Sequence, residues 1–374
     1  MNAVRPERGP QMDAFLSRIG WEGAVRRMLA GDASFRRYER VEWQGRIAVL
    51  MDAPPPWEDV RPFIAVTKHL EACGASVPGI IAADEAEGFL LLEDLGDASF
   101  TRLLKADAAR ELELYMAATD ALVEIVRLSP TLVIPAQAGI YCQPSMVRAP
   151  FPAVDSRLRG NDEVILPPYD MAVYLREAGL FAEWFLPQVY GIEKARELRE
   201  EWLVLWRGVI AEAGLQQACL VHRDYHADNL FWLHGRDGHR AVGMLDYQDA
   251  LWGDAAYDLA SLLEDARRDV SPTTVKQCIA HFVKQLGEDP VLFRQRYAVL
   301  AAQRNAKIIG IFVRLCVRDG KAHYLDYLPR VWGHFLHDIT HPALGPVKQF
   351  VEAHVPQEWT GVFKANVGIG GIVP

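Results

Sequence analysis

Residues 222–229 read His-Arg-Asp-Tyr-His-Ala-Asp-Asn, which sets a carboxylate, Asp224, five positions before an amide, Asn229, with a short apolar run on either side. The pair suits phosphoryl transfer to a hydroxyl: a carboxylate orients the hydroxyl and accepts its proton, while an amide oxygen ligates Mg²⁺ without adding another full negative charge. A second acid should complete such a metal site, and Asp246, 17 residues after Asn229 at the end of the apolar run 241–245, supplies it. Asp224 is therefore expected to be the catalytic base, and Asn229 and Asp246 the metal ligands. Asp and Asn also serve as ordinary turn residues. The three together, followed by Gly253-Asp254 and Tyr257-Asp258, are more specific than that use explains. His222 and His226 are four apart, a zinc spacing only on a helix, and here they fall in an expected loop.

These residues need a frame. Apolar alternation over 34–52 around Gln44-Gly45 predicts two strands joined by a tight turn, and the spacing of Val60, Ile64, Thr67 and Leu70 predicts a helix over 57–73. Two further strands are expected at 79–83 and 88–92, then a long helical stretch over 99–128. From 130 to 166 the period collapses among prolines, which reads as an irregular insertion whose ends resemble translated palindromic repeat elements. Helical pattern resumes over 169–213, short apolar runs follow at 219–221 and 230–233, and everything after Asp254 reads as helix. The expected fold class is α+β, a small antiparallel-sheet lobe over 1–95 and a larger, mainly helical lobe over 96–357, with a loose tail at 358–374.

The two blocks His222-Arg-Asp-Tyr-His-Ala-Asp-Asn229 and Leu245-Asp-Tyr-Gln-Asp-Ala-Leu-Trp-Gly-Asp254, in this order, resemble the aminoglycoside phosphotransferase superfamily. With Gly31-Asp-Ala-Ser-Phe-Arg-Arg-Tyr38, Met51-Asp-Ala-Pro-Pro55 and Leu90-Leu-Leu-Glu-Asp-Leu-Gly96, the chain is similar to the bacterial anomeric sugar kinases acting on N-acetylmuramate and N-acetylglucosamine. The resemblance implies a two-lobed protein-kinase-like fold, ATP and Mg²⁺ as cofactors, and phosphorylation of an amino sugar at its anomeric hydroxyl. It also implies a nucleotide side. Gly31 and Ser34 would lie over the phosphates, and Glu93 and Asp94 would stand at the junction of the lobes. Met51 occupies the position of the usual kinase lysine, with Tyr247 in place of the usual Phe. Arg36 and Arg37 are the cations available to replace that lysine; being adjacent on an expected strand, they point to opposite faces. Glu71 could serve as the pairing helix acid or simply be a surface acid.

Composition narrows the alternatives. The chain has 374 residues, 50% of them hydrophobic, and a net charge of −9, which disfavours a broad nucleic-acid surface. No membrane-length apolar run occurs, and five scattered cysteines fit a reducing cytoplasm. Two other functions remain open. A kinase of an aminoglycoside, choline or homoserine-like amine would want an acid-rich cleft, and a pseudokinase would need neither base nor metal ligands. Trp184, Trp252, Tyr225 and Tyr257 lean toward a sugar, which favours aromatic faces. Arg267, Arg268, Arg304 and Lys307 carry no assignment.

Overall fold

A computed structural model describes residues 7–29, 35–129 and 166–355. The expected insertion, save its last residue, the tail from 358, and Gly31 and Ser34 lie outside the described residues. The chain opens with α1 (Gly9–Arg18), β1 (Val25–Met28), β2 (Arg37–Trp43), β3 (Arg46–Asp52), α2 (Arg61–Ala72), β4 (Ile80–Asp84) and β5 (Phe89–Glu93). The five strands form one antiparallel sheet in the order β1-β2-β3-β5-β4. Gln44 and Gly45, at φ 48° and 77°, close β2 on β3 as the expected tight turn.

Strand alternation sorts the side chains onto two faces. Ala48 and Leu50 of β3, with Phe89 and Leu91 of β5, pack against Met12 and Phe15 of α1. Met51, Leu90 and Leu92 belong instead to the continuous core that runs through Phe63, Val66 and Leu70 of α2 into the helical region. Neither α1 nor β1 is legible in the sequence. β1 is an edge strand with no fully buried residue, and α1 buries only Met12, Phe15 and Leu16, so neither displays a sustained period.

The remainder contains α3 (Phe100–Ala106), α4 (Glu111–Leu128), α5 (Met171–Leu180), α6 (Leu186–Tyr190), α7 (Ile192–Glu212), β6 (Cys219–Val221), β7 (Leu230–Trp232), β8 (Val242–Met244) and β9 (Leu251–Gly253). There follow α8 (Ala256–Leu263), α9 (Pro272–Leu286), α10 (Pro290–Val317), α11 (Leu328–Asp338) and α12 (Gly345–His354). The long helix expected over 99–128 is two: Asp107 leaves helical geometry and its side chain caps the next turn through the Ala109 N–H. The stretch expected as helix over 169–213 is divided by a π-helical turn at Phe181–Phe185 and by Gly191 at φ 77°. α10 passes that turn closely, for a Cβ on Gly310 would lie 2.3 Å from the Leu180 carbonyl oxygen. Only glycine permits this approach, and one and two turns earlier α10 sets Lys307 and Gln303 against α5.

Candidate active site

The segment 222–229 leaves β6 at Val221 and enters β7 at Leu230. β7 pairs antiparallel with β8, Leu230 opposite Met244, and the ladder extends one residue further because the Leu245 N–H donates to the Asn229 carbonyl at 2.9 Å. Asp246 is the next residue, so hairpin register alone brings Asn229 and Asp246 to one end of the same ladder. The Asn229 side-chain amide donates through Nδ2 to the backbone carbonyl of Asp224 at 2.9 Å. Its Oδ1 accepts no hydrogen bond among the described residues. Arg223 and Asp246 take φ of 77° and 63°, left-handed conformations that L residues hold only where the surroundings impose them. Gln248 Nε2 steadies Asp246 from 2.8 Å.

A metal fits this arrangement in donor chemistry. Among the described residues no three or more His, Cys, Asp or Glu side chains form a metal cluster, and 222–229 is not helical, so the histidines have no zinc geometry. Mg²⁺ needs less from the protein, since it takes one or two protein oxygens and completes its shell with phosphate and water. Asn229 Oδ1 and the Asp246 carboxylate are such oxygens.

The acid of the downstream block has a definite task. Asp258, buried at the start of α8, accepts the backbone N–H groups of His222 at 2.6 Å and Arg223 at 2.9 Å. Burial pushes its carboxyl up to about 7, against the pull of those two donors. His222 is buried, its pKa lowered to about 4 by burial, and its ring packs edge-on to Tyr225 and Tyr247. It therefore supports the loop by packing. Tyr247 stacks on Phe63 with ring centroids 5.0 Å apart and places its hydroxyl 2.8 Å from Thr67 Oγ1, which couples the Asp246 segment to α2.

Asp224 is an exposed residue. Burial alone would raise its pKa, but Lys307, followed by His226, Arg223 and His222, holds it below the usual carboxylate range. Asp224 is thus ionised at neutral pH and able to accept a proton. Lys307 is held in turn, with Nζ 3.0 Å from Glu177 Oε1 and 3.1 Å from the Tyr257 hydroxyl. Glu177 also accepts from Arg223, Tyr169 and Gln303. Burial would raise its pKa as well, and Lys307 and Arg223 overcome it and hold Glu177 at about 2.

Sequence reading gives Glu177 no role and leaves Lys307 unassigned. The available signal is polarity inside apolar helix: Glu177 follows Tyr174-Leu175, and Gln303-Arg304-Asn305 interrupts an alanine-rich run. The aromatic expectation needs correction, since Tyr225, Trp252 and Tyr257 are buried in the core and offer no face to a ligand. Their size suits the packing of a loop-rich region. Trp184 is only partly buried.

The residues expected on the nucleotide side lie on the sheet and its edges. Met51 is buried under α2. Arg36 precedes β2, is buried, and has Nε 3.4 Å from Glu58. Arg37 turns to the α1 face, with Nη2 3.4 Å from Asp52 and 3.7 Å from Met12 Sδ. Glu93 meets Arg236 at 2.5 Å and Asp94 meets Arg40 at 2.6 Å. Glu71 is exposed.

Fold and loops together place the molecule among the kinase-like phosphotransferases. The pattern of the phosphotransferase enzyme family matches residues 26–290, and the chain belongs to that family. It is 35% identical to an N-acetylmuramate/N-acetylglucosamine kinase of Caulobacter vibrioides over 94% of this chain and 98% of the relative. To a Pseudomonas aeruginosa protein of the same name it is also 35% identical, over 80% of each chain. The fold is shared with a choline/ethanolamine kinase family protein of Mesorhizobium loti, with a TM-score of 0.56, 11% identity, and coverage of 93% of this chain and 100% of that one. An aminoglycoside phosphotransferase structure matches with a TM-score of 0.55 and 12% identity over 89% of this chain and 99% of that one. No helix among the described residues is long and apolar enough to cross a membrane.

Proposed function

We propose that the protein transfers the terminal phosphoryl group of ATP to the anomeric hydroxyl of an N-acetylated amino sugar, N-acetylmuramate or N-acetylglucosamine. The observation that carries this reading is the charge around Asp224: the groups that act on its carboxylate are led by Lys307 and include Arg223, both cations. A cleft for a polycationic aminoglycoside or a choline-like amine wants acids there, whereas a neutral or acidic sugar does not. The names of the relatives at 35% identity agree. A pseudokinase has no use for Asp224, Asn229 and Asp246 together.

In this mechanism Asp224 orients the anomeric hydroxyl and accepts its proton as the sugar oxygen bonds to phosphorus and the bond from phosphorus to the departing ADP breaks. An anomeric hydroxyl is more acidic than an ordinary alcohol, so a carboxylate held below its usual pKa suffices. Asn229 and Asp246 would hold Mg²⁺, which when bound would supply positive charge to the phosphates. Asp258 fixes the backbone that carries Asp224, and the Glu177 pair with Lys307 and Arg223 fixes the cations beside it. Residues 1–95 form the nucleotide side, with Arg36 the arginine on hand to replace the lysine, since Arg37 turns to α1, and with Glu93 and Asp94 at the junction; Gly31 and Ser34 are assigned to the phosphates from the sequence alone.

ADP release from ATP and Mg²⁺ in the presence of N-acetylmuramate, N-acetylglucosamine, kanamycin, choline and homoserine tests the reading. Release with the two amino sugars alone is the expected result. Release with an amine acceptor instead, or with none, would refute it.

A further inference from the structure

Arg304 lies inside α10 and is 4% exposed, and a buried guanidinium is costly unless an acid or a set of acceptors answers it. Its Nη1 donates to the backbone carbonyl of Glu264 at 3.2 Å. Among the described residues no carboxylate comes within ion-pair distance of it. The nearby acids are engaged elsewhere. The Glu264 carboxylate accepts from Tyr297 at 2.9 Å and Asn305 at 2.7 Å, Asp338 accepts from the same Asn305 at 2.9 Å, Asp258 is occupied by the His222 and Arg223 N–H groups, and buried Asp265 accepts the backbone N–H of Arg267 at 2.8 Å.

The Arg304 charge is felt at the catalytic loop. His226 donates its N–H to the Asp224 carbonyl at 3.1 Å, so it stands one turn of the loop from the proposed base. Its ring pKa is lowered by burial first; the acids Asp265 and Asp224 oppose that effect, and the charges of Arg267 and Arg304 add to it. Arg267, just after α8, brings Nη1 to 3.5 Å from His226 Nε2 and Nε to 3.4 Å from Asp228, and its side chain remains 35% exposed. Two arginines from different helical regions thus act on one ring beside Asp224: Arg267 touches it and is partly open to solvent, and Arg304, buried with no carboxylate in ion-pair distance, acts on it through charge.

We propose that Arg304 and Arg267, around His226, form an anion subsite that takes a carboxylate carried by the acceptor sugar. The inference rests on the amino-sugar reading above. N-acetylmuramate is N-acetylglucosamine bearing a lactyl ether on C3, so its carboxylate hangs close to the anomeric carbon where transfer occurs. Whatever receives that carboxylate must stand near the group that receives the anomeric proton. A guanidinium fork suits a carboxylate in shape as well as charge. Arg267 keeps donors available beyond its contact with Asp228, and a carboxylate would answer the charge buried at Arg304. The transferring phosphoryl group offers similar anionic chemistry, so the test must separate the two.

The experiment measures kcat/KM for N-acetylmuramate and for N-acetylglucosamine with wild-type protein, Arg267→Ala and Arg304→Met. The subsite predicts that the ratio of the two values falls roughly tenfold to a hundredfold in each variant, the scale of a lost hydrogen bond to a charged group. Arginines that served the phosphoryl group would slow both sugars equally and leave the ratio unchanged, which would overturn the proposal. Arg267 is partly exposed, so an unchanged ratio in Arg267→Ala is decisive even if Arg304→Met does not fold. Wild-type protein that phosphorylates neither sugar would remove the acceptor reading itself. Wild-type protein that takes both sugars, with a ratio insensitive to Arg267, would remove only the subsite.

Discussion

Nδ2 of Asn229 donates to the backbone carbonyl oxygen of Asp224 across 2.9 Å, so the amide proposed to hold the metal also fixes the loop that carries the proposed base. In the proposed function metal affinity and base placement are therefore joined in one side chain, and substitutions that keep one property while removing the other can separate them.

Asn229→Ala removes both the ligating oxygen and the tether. The Mg²⁺ concentration needed for half-maximal activity should rise roughly tenfold or more, with turnover falling as well. Asn229→Asp restores an oxygen but no donor, so it should retain Mg²⁺ affinity while still losing turnover. A Mg²⁺ titration of both variants checks this, and an unaltered Mg²⁺ requirement in Asn229→Ala would remove Asn229 from the metal site.

The nucleotide side yields a sharper expectation than the sequence does. Arg36 and Arg37 are expected on opposite faces, and Arg37 is the one turned to α1, beside Met12 and Asp52, on the side of the sheet away from α2. Arg36→Ala should therefore raise the apparent KM for ATP strongly, and Arg37→Ala scarcely. Initial-rate kinetics over an ATP series measure it. Small, equal effects would mean that neither arginine replaces the lysine absent at Met51.

How much of this was legible depends on where each signal lies along the chain. The β2–β3 turn is written locally in Gln44-Gly45, and the placement of Asn229 and Asp246 at one end of the β7–β8 ladder follows from two motif segments joined by one hairpin. Glu177 and Lys307 are 130 positions apart and meet only because α10 crosses the π-helical turn at Gly310, a tertiary event with no local pattern. β9 is three residues long and β1 sits exposed at an edge, so neither carries enough alternation to be read. Tyr225, Trp252 and Tyr257 mislead for a related reason: an aromatic residue near a motif looks like a ligand platform until packing assigns it to the core.

Glu177 gives a pH dependence of stability with a definite sign. Its folded-state pKa lies near 2, below the ordinary 4.5, so its contribution is present in full above about pH 4.5 and is lost as the pH falls toward 2. The size is about 3 kcal/mol by linkage from that shift. Glu177→Gln should lower stability at pH 7, because Arg223 and Lys307 lose their partner, and should flatten the acid limb relative to wild type. Urea unfolding at pH 7 and pH 3 measures both. An acid limb identical in the two proteins would contradict the depressed pKa.

The most direct measurement is the rate of phosphate transfer to the acceptor sugar by Asp224→Asn, with the product identified by ³¹P NMR as the anomeric phosphate. Nucleotide binding should be nearly intact, while turnover falls roughly 10² to 10⁴-fold, the scale of general-base assistance. Turnover equal to wild type, or a product phosphorylated at another hydroxyl, would contradict the account of Asp224 as the base that receives the anomeric proton.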